Sequence, residues 1–141
     1  MKYFRSVSLL LACCALAACS RPATSVPPAT QPAGLKVADI RLGRSIAADK
    51  TVVDTSDSFR PADTFYVSVR TEGTSSSATL KARWTYEDGQ PVDESVQNIA
   101  PSGPAVTEFH VSKPDGWPTG SYKVEVLLNG VSAGHKEFKV G

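Results

Sequence analysis

From Leu35 onward the chain is written in period two. In the stretch DTFYVSVRT, Phe65, Val67 and Val69 alternate with Thr64, Ser68 and Arg70. In ATLKARWTYEDG, Leu80, Ala82, Trp84 and Tyr86 alternate with Lys81, Arg83, Thr85 and Glu87. Thr107, Phe109 and Val111 alternate with Glu108 and His110; Tyr122, Val124, Val126 and Leu128 alternate with Lys123 and Glu125. A strand throws successive side chains to opposite faces, so these segments predict strands with one buried face. Trp84, in phase with Leu80, Ala82 and Tyr86, is the expected centre of the core. No window carries a helical stripe, and the ten prolines and ten glycines fall mostly between the alternating segments.

The turns bear their own chemistry. Asn129-Gly130 suits positive φ at a tight hairpin, and Asp88-Gly89, just before Pro91, suits another. Pro101, Pro104, Pro114 and Pro118 mark loops or strand starts, because proline has no N–H to donate into a ladder. With Leu35–Leu42 and a segment near Thr51–Val53 added, the count reaches seven or eight strands in about a hundred residues. An all-β fold follows, a two-sheet antiparallel sandwich. In the last hairpin, a two-residue Asn129-Gly130 turn in perfect register would expose Phe138 and Val140. Burying each is worth about 1.5–3 kcal/mol, so one extra residue is expected within Ala133–His135, with Gly134 the natural site of a β-bulge. That register sends Val131, Ala133, Phe138 and Val140 inward and His135 outward; the alternative, a three-residue turn with no bulge, also buries Phe138 but turns Val131 outward.

Two aromatic positions carry a resemblance. Trp84 in a third-strand position, and the run Trp117-Pro118-Thr119-Gly120-Ser121-Tyr122 leading into Lys123-Val124-Glu125-Val126, resemble the immunoglobulin-like or fibronectin type III-like domains of bacterial surface and periplasmic proteins. The resemblance covers most of residues 58–140. It implies that Trp84 packs between the sheets and that Gly120-x-Tyr122 opens the penultimate strand. The inter-sheet cysteine pair of antibody domains is missing.

The first nineteen residues follow a different rule. Lys2 and Arg5 give a positive start, an apolar run from Val7 to Ala18 is broken only by Ser8, and small residues lead into Cys19. Twelve residues are too few to span a hydrocarbon core of about 30 Å, which takes roughly 20. A charged start, a short apolar middle and a small-residue exit fit a secretory signal peptide. Leu16-Ala17-Ala18-Cys19 resembles the lipobox of bacterial lipoproteins. The resemblance implies cleavage before Cys19, a diacylglyceryl thioether on its sulfur, and Cys19 as the mature N-terminus. A thiolate is the protein nucleophile suited to such an alkylation, whereas Cys13 and Cys14 lie inside the apolar run and leave with it. Two or three acyl chains make a stable anchor where one is marginal. With Ser20, not Asp, after the cysteine, the resemblance points to the outer membrane, facing the periplasm.

The expected organisation is therefore a signal peptide at 1–18, a lipidated cysteine and Pro/Ala/Thr-rich tether at 19–34, and one domain at 35–141. The tether, SRPATSVPPATQPAG, has nothing to build a core from; where polyproline-like it extends about 3.1 Å per residue, a reach of roughly 45 Å. Removing Lys2 and Arg5 leaves thirteen basic side chains against fourteen acidic. Near neutrality gives no footing for nucleic acid or a strongly anionic surface. The domain has no cysteine, so neither disulfides nor thiolate zinc can hold it together, and packing must.

Catalytic constellations are not found. His110 and His135 fall on predicted strands without neighbours at metal-ligand spacing, and no nucleophile elbow or phosphate loop occurs. Asp49, Asp54, Asp57 and Asp63 cluster, but Lys50 and Arg60 interrupt them and turn or cap chemistry accounts for such aspartates. No cofactor, metal or catalytic residue is expected. Recognition remains: Trp117, Phe59 and Tyr66 are the aromatics alternation does not send inward, and an exposed tryptophan beside proline would anchor a partner. The alternative is that Trp117 plugs one end of the sandwich. The sequence thus points to a lipid-anchored envelope module that binds or assembles with a protein partner. A protease inhibitor or periplasmic chaperone presenting a loop or edge strand is the competing expectation.

Overall fold

The computed structural model describes residues 34–141. The signal segment, Cys19 and the tether up to residue 33 lie outside the described residues. Eight strands follow in order: β1 (Lys36–Gly43), β2 (Ser58–Phe59), β3 (Phe65–Glu72), β4 (Ala78–Tyr86), β5 (Gln90–Ile99), β6 (Ala105–Val111), β7 (Gly120–Leu128) and β8 (Val131–Val140). One sheet has the order β1-β3-β6, the other β2-β8-β7-β4-β5. Pairing is antiparallel except for the two-residue contact of β2 with β8. The fold is all-β, a two-sheet sandwich, as the alternation predicts.

The inward sets meet between the sheets. Val67, Val69, Leu80, Ala82, Val124 and Val126 are fully buried, and Trp84, Phe59 and Phe65 are 1% exposed. Trp84 lies between the layers with Phe65 on one side (6.2 Å between ring centres) and Phe138 edge-on (6.2 Å). Its indole nitrogen has no hydrogen-bond partner among the described residues. That costs some of what the burial of so large a ring contributes.

The last hairpin turns on Asn129 (φ 51°) and Gly130 (φ 81°). Leu128 faces Val131, Leu127 faces Ser132, and Val126 faces Gly134. Ala133 is thus the extra residue, and the bulge falls inside Ala133–His135. Gly134 (φ 151°) also lies where β1 comes close, since a Cβ there would meet Ile40 Cδ1 at 2.9 Å. Beyond the bulge Tyr122 faces Phe138, both buried, and His135 is exposed. Val131 and Ala133 do not turn into the core as the register predicts: Val131 is 70% exposed, and Ala133 is exposed too. Over this stretch β8 has β7 on one flank and no strand on the other, so the margin of the sandwich leaves both uncovered.

Three further expectations are corrected. Residues 51–53 form no strand; Val52 makes a single bridge to Ile46, and the chain instead enters the second sheet at β2. The β4–β5 turn has three residues, with positive φ on Glu87 (46°) and Gly89 (97°), not a tight Asp88-Gly89 pair. Phe59, offered as a recognition aromatic, is a core residue: β2 lays its ring against Phe65 (4.8 Å) and Phe138 (5.2 Å).

The two ends of the sandwich differ. Gly34 bridges Thr74 at one end, alongside the β5–β6 connection, where Thr74 also bridges Ser102. β1 runs from there to the other end, which carries the 44–57 and 60–64 loops, the β4–β5 turn, the β6–β7 loop and the C-terminal Gly141.

Replacing Trp84 by Ala is expected to lower unfolding stability by about 3–5 kcal/mol. Val131→Thr, on the uncovered margin, should stay within about 0.5 kcal/mol. Denaturant melts of the two variants check this, and equal midpoints would contradict the assignment of Trp84 to the core.

Candidate functional site

An open hollow with apolar walls and a polar lining lies at the far end, opposite Gly34. It encloses about 470 Å³ between the β4–β5 hairpin and the β6–β7 loop. Tyr86, Val92, Val111, Pro114, Trp117 and Tyr122 supply its walls, and Gln90, Asp93, Ser112 and Lys113 its polar lining. The volume falls within the range of small binding sites, and apolar walls with a few polar groups are their usual composition.

Each wall residue is held by its element. Tyr122, two residues into β7, donates its hydroxyl to Pro118 O (2.8 Å), four residues upstream. This is the tyrosine corner of immunoglobulin-type sandwiches. Tyr86, at the end of β4, sits against the Tyr122 ring (4.8 Å) and donates to Thr119 O (3.0 Å). The two hydroxyls thus fix consecutive carbonyls of the loop that carries Trp117. Gly120 (φ 145°) permits the approach, because a Cβ there would stand 2.8 Å from the Tyr86 ring and 2.3 Å from Glu87 Oε1. Glu87 in turn accepts from Ser121 N (3.0 Å).

Trp117 decides between the two expectations for it. Its ring stacks on Phe65 (4.7 Å), its Nε1 donates to Asp63 O (2.9 Å), and its backbone N donates to Pro61 O (2.7 Å). At 6% exposed it plugs the end of the sandwich. The plug reading holds and the projecting anchor does not: Trp117 borders the hollow as part of its floor. Phe59 is likewise inside. Tyr66 is half-buried on the outer face of the three-stranded sheet beside His110 (5.6 Å). Of the three aromatics, only Trp117 lies at the hollow. Tyr86, Val92, Val111 and Tyr122 line it as well; the strand pattern reads Tyr86, Val111 and Tyr122 simply as inward positions and passes over Val92, and only the topology brings their ends together.

Three of the four clustered aspartates, Asp49, Asp54 and Asp63, are engaged by local structure. Asp49 accepts from Thr51 N (3.0 Å) and Thr51 Oγ1 (2.6 Å), and those bonds lower its pKa. Asp54 and Asp63 flank the Arg44 guanidinium at 3.6 and 3.4 Å. Arg44 also donates to Ser58 O (2.6 Å) and lies 5.8 Å from the centre of the Phe59 ring. It thereby ties the end of β1 to β2 and the 60–64 loop. On the outer face of the larger sheet Glu94 binds Lys81 (2.7 Å) and Arg83 (3.3 Å), chiefly through the Lys81 bond, and is held below its ordinary pKa. His110 contacts Glu108 on the same strand. Among the described residues no three His, Cys, Asp or Glu side chains stand close enough to share a metal ion.

No protein-family model and no curated protein matches the sequence. Solved structures do match in shape. The C-terminal domain of wzt superposes with a TM-score of 0.53 at 16% identity, covering 77% of this chain and 74% of that one. The alkylpurine DNA glycosylase AlkC of Pseudomonas fluorescens, bound to DNA containing an abasic site analog, gives 0.52 at 16% identity. There 77% of this chain covers only 30% of the enzyme. An immunoglobulin-like protein from Pseudomonas aeruginosa gives 0.50 at 15% identity, covering 77% of this chain and 98% of that one. At such identities the likeness is one of fold. The domain is an immunoglobulin-like β-sandwich.

The tyrosine corner carries a pH signature. Burial first, then the neighbouring Tyr86 and Glu87, raise the Tyr122 phenol above its ordinary 10.0. The folded state then holds this proton more tightly than the unfolded chain. The associated stability is complete below about pH 10 and is lost as pH rises through the folded pKa. Tyr122→Phe should cost about 1 kcal/mol at neutral pH, and its stability should decline less steeply than the parent's above pH 10. Identical profiles for the two proteins would remove the corner from the account.

Proposed function

We propose that this protein is a lipid-anchored periplasmic module, held in the envelope through Cys19, that binds or assembles with a protein partner and has no catalytic activity. The observation that supports it is the opposition of the two ends. The described chain begins with Gly34 at one end of the sandwich, immediately after the proline-rich stretch that follows Cys19. The apolar hollow lies at the other end. A domain anchored through its N-terminus would hold that hollow away from the bilayer, where an envelope partner can meet it. With the anchor in the outer membrane and the domain facing the periplasm, a tether of roughly 45 Å would add to the reach.

A strand-adding inhibitor or chaperone draws less support. β5 is an open edge of the larger sheet, yet it carries Pro91 at its second position, shifts register between its pairs with Trp84 and Thr85, and carries Asp93 and Glu94. Proline, a bulge and charge are the features that keep an edge from pairing with another chain.

Two measurements in cells test the proposal. Cys19→Ala should abolish palmitate incorporation and release the protein from the membrane fraction; continued labelling and pelleting would place the anchor elsewhere. A photo-crosslinking amino acid at Gln90, beside the hollow, should give a discrete adduct that the same probe at Ser76, near Gly34, does not. Adducts from Ser76 alone would reverse the proposed orientation.

A further inference from the structure

Three glycines of this chain follow an aspartate or asparagine, and the fold treats their amides differently. Gly89, after Asp88, donates to Tyr86 O (3.2 Å), and Gly116, after Asp115, donates to Lys113 O (2.9 Å). Gly130, after Asn129, donates its N–H to no group among the described residues. Both residues of this pair are exposed at the tip of the β7–β8 hairpin, and nothing stands within 4 Å of where a Cβ on Gly130 would sit. An exposed, unbonded amide can lose its proton to water and act as a nucleophile. An amide spent on a carbonyl is held by a bond that must first be broken.

The carbonyl that Gly130 N would attack is already prepared. Asn129 Oδ1 accepts from Thr79 N (2.9 Å), and Asn129 N donates to Thr79 O (2.8 Å), so the side chain is pinned to the start of β4. A donor aimed at Oδ1 favours the negative charge that develops there as the carbon turns tetrahedral. Asn129 Nδ2, the leaving nitrogen, has no hydrogen-bond partner among the described residues.

We infer that Asn129-Gly130 is a self-modifying site, at which the folded domain converts Asn129 to aspartate and isoaspartate through a succinimide. Gly130 N bonds to Asn129 Cγ and gives its proton to water; the Cγ–Nδ2 bond breaks, and the nitrogen takes up a proton and leaves as ammonia. Water then adds to one of the two ring carbonyls. Opening between Gly130 N and Cγ gives aspartate. Opening between Gly130 N and the main-chain carbonyl carbon gives isoaspartate, with one more carbon in the backbone. Water is the sole co-reactant, and nothing is oxidised or reduced. The aspartate product keeps an oxygen for Thr79 N and tolerates the positive φ of 51° as asparagine does. Isoaspartate lengthens the two-residue turn that pairs Leu128 with Val131 and loosens the hairpin tip. Either product places a negative charge at the end of the sandwich where the described chain begins.

The full-length protein in a neutral detergent can be incubated in H₂¹⁸O at neutral pH, folded and, in parallel, unfolded in guanidinium chloride, and its peptides mapped by mass. In the folded protein ¹⁸O should enter Asn129 at least as fast as in the unfolded chain, because the fold leaves Gly130 N free and polarises Oδ1. Isoaspartate formation at Asp88 and Asp115, whose glycine amides are bonded, should slow about tenfold on folding. Asn98, the chain's other asparagine, precedes β-branched Ile99 in the β4–β5 ladder and should stay an amide. Asn129→Gln, which would have to close a six-membered ring, should take up no label there. Asn129→Asp, the direct product, should melt with the parent. Slower labelling of Asn129 in the folded protein than in the unfolded chain, equal slowing at all three glycine-preceding sites, or label in Asn129→Gln at the parent's rate would each overturn the inference. A clear drop in the midpoint of Asn129→Asp would overturn the claim that the fold survives the conversion.

Discussion

One ring, Phe65, connects almost everything in this domain. It enters from the three-stranded sheet and meets Phe59 of β2, Phe138 of β8, Trp117 of the β6–β7 loop and Tyr122 of β7 at 4.7–5.9 Å between centres, with Trp84 of β4 at 6.2 Å. Each such pair adds about 0.5–1.5 kcal/mol beyond the area it buries. The domain contains no cysteine, so nothing covalent joins the two sheets. Edge-to-face and stacked rings hold the two sheets together, and the far end is built on them.

The far-end hollow depends on that cluster. Trp117 closes the sandwich because Phe65 gives it a surface to stack on and Asp63 O takes its N–H. The tyrosines then fix the two carbonyls that follow Trp117, at Pro118 and Thr119. Core packing, corner geometry and binding surface are thus successive layers of the same aromatic arrangement.

How much of this is legible in the chain follows from what sets each element. β3, β4, β6 and β7 alternate because one face of each is buried throughout, and Trp84 falls in phase. The bulge within Ala133–His135 is legible because an unbroken ladder from the Asn129-Gly130 turn would leave Phe138 and Val140 exposed. β2 is not, since two residues in parallel contact with β8 have no period and exist only because the chain must cross between sheets. β5 has weak alternation because it is an exposed edge, where Val96 is 52% accessible. Phe59 and Trp117 look surplus in the sequence for the same reason: no strand pattern governs their surroundings, and only the assembled fold shows that Phe65 is waiting for both. The hollow is legible piecewise, as inward tyrosines and loop prolines, but its assembly requires the ends of β4, β5, β6 and β7 to coincide.

The central claim, that Phe65 couples the sheets and supports the far end, is tested most directly by Phe65→Leu with hydrogen exchange read at the Trp117 indole N–H, alongside Phe109→Leu as a second buried phenylalanine outside the Phe65 ring cluster. The account predicts that Phe65→Leu lowers stability by about 1–3 kcal/mol and exposes the Trp117 N–H to exchange under conditions where the fold persists, while Phe109→Leu leaves that proton protected. A Phe65→Leu protein with the parent's stability and a still protected Trp117 N–H would contradict it.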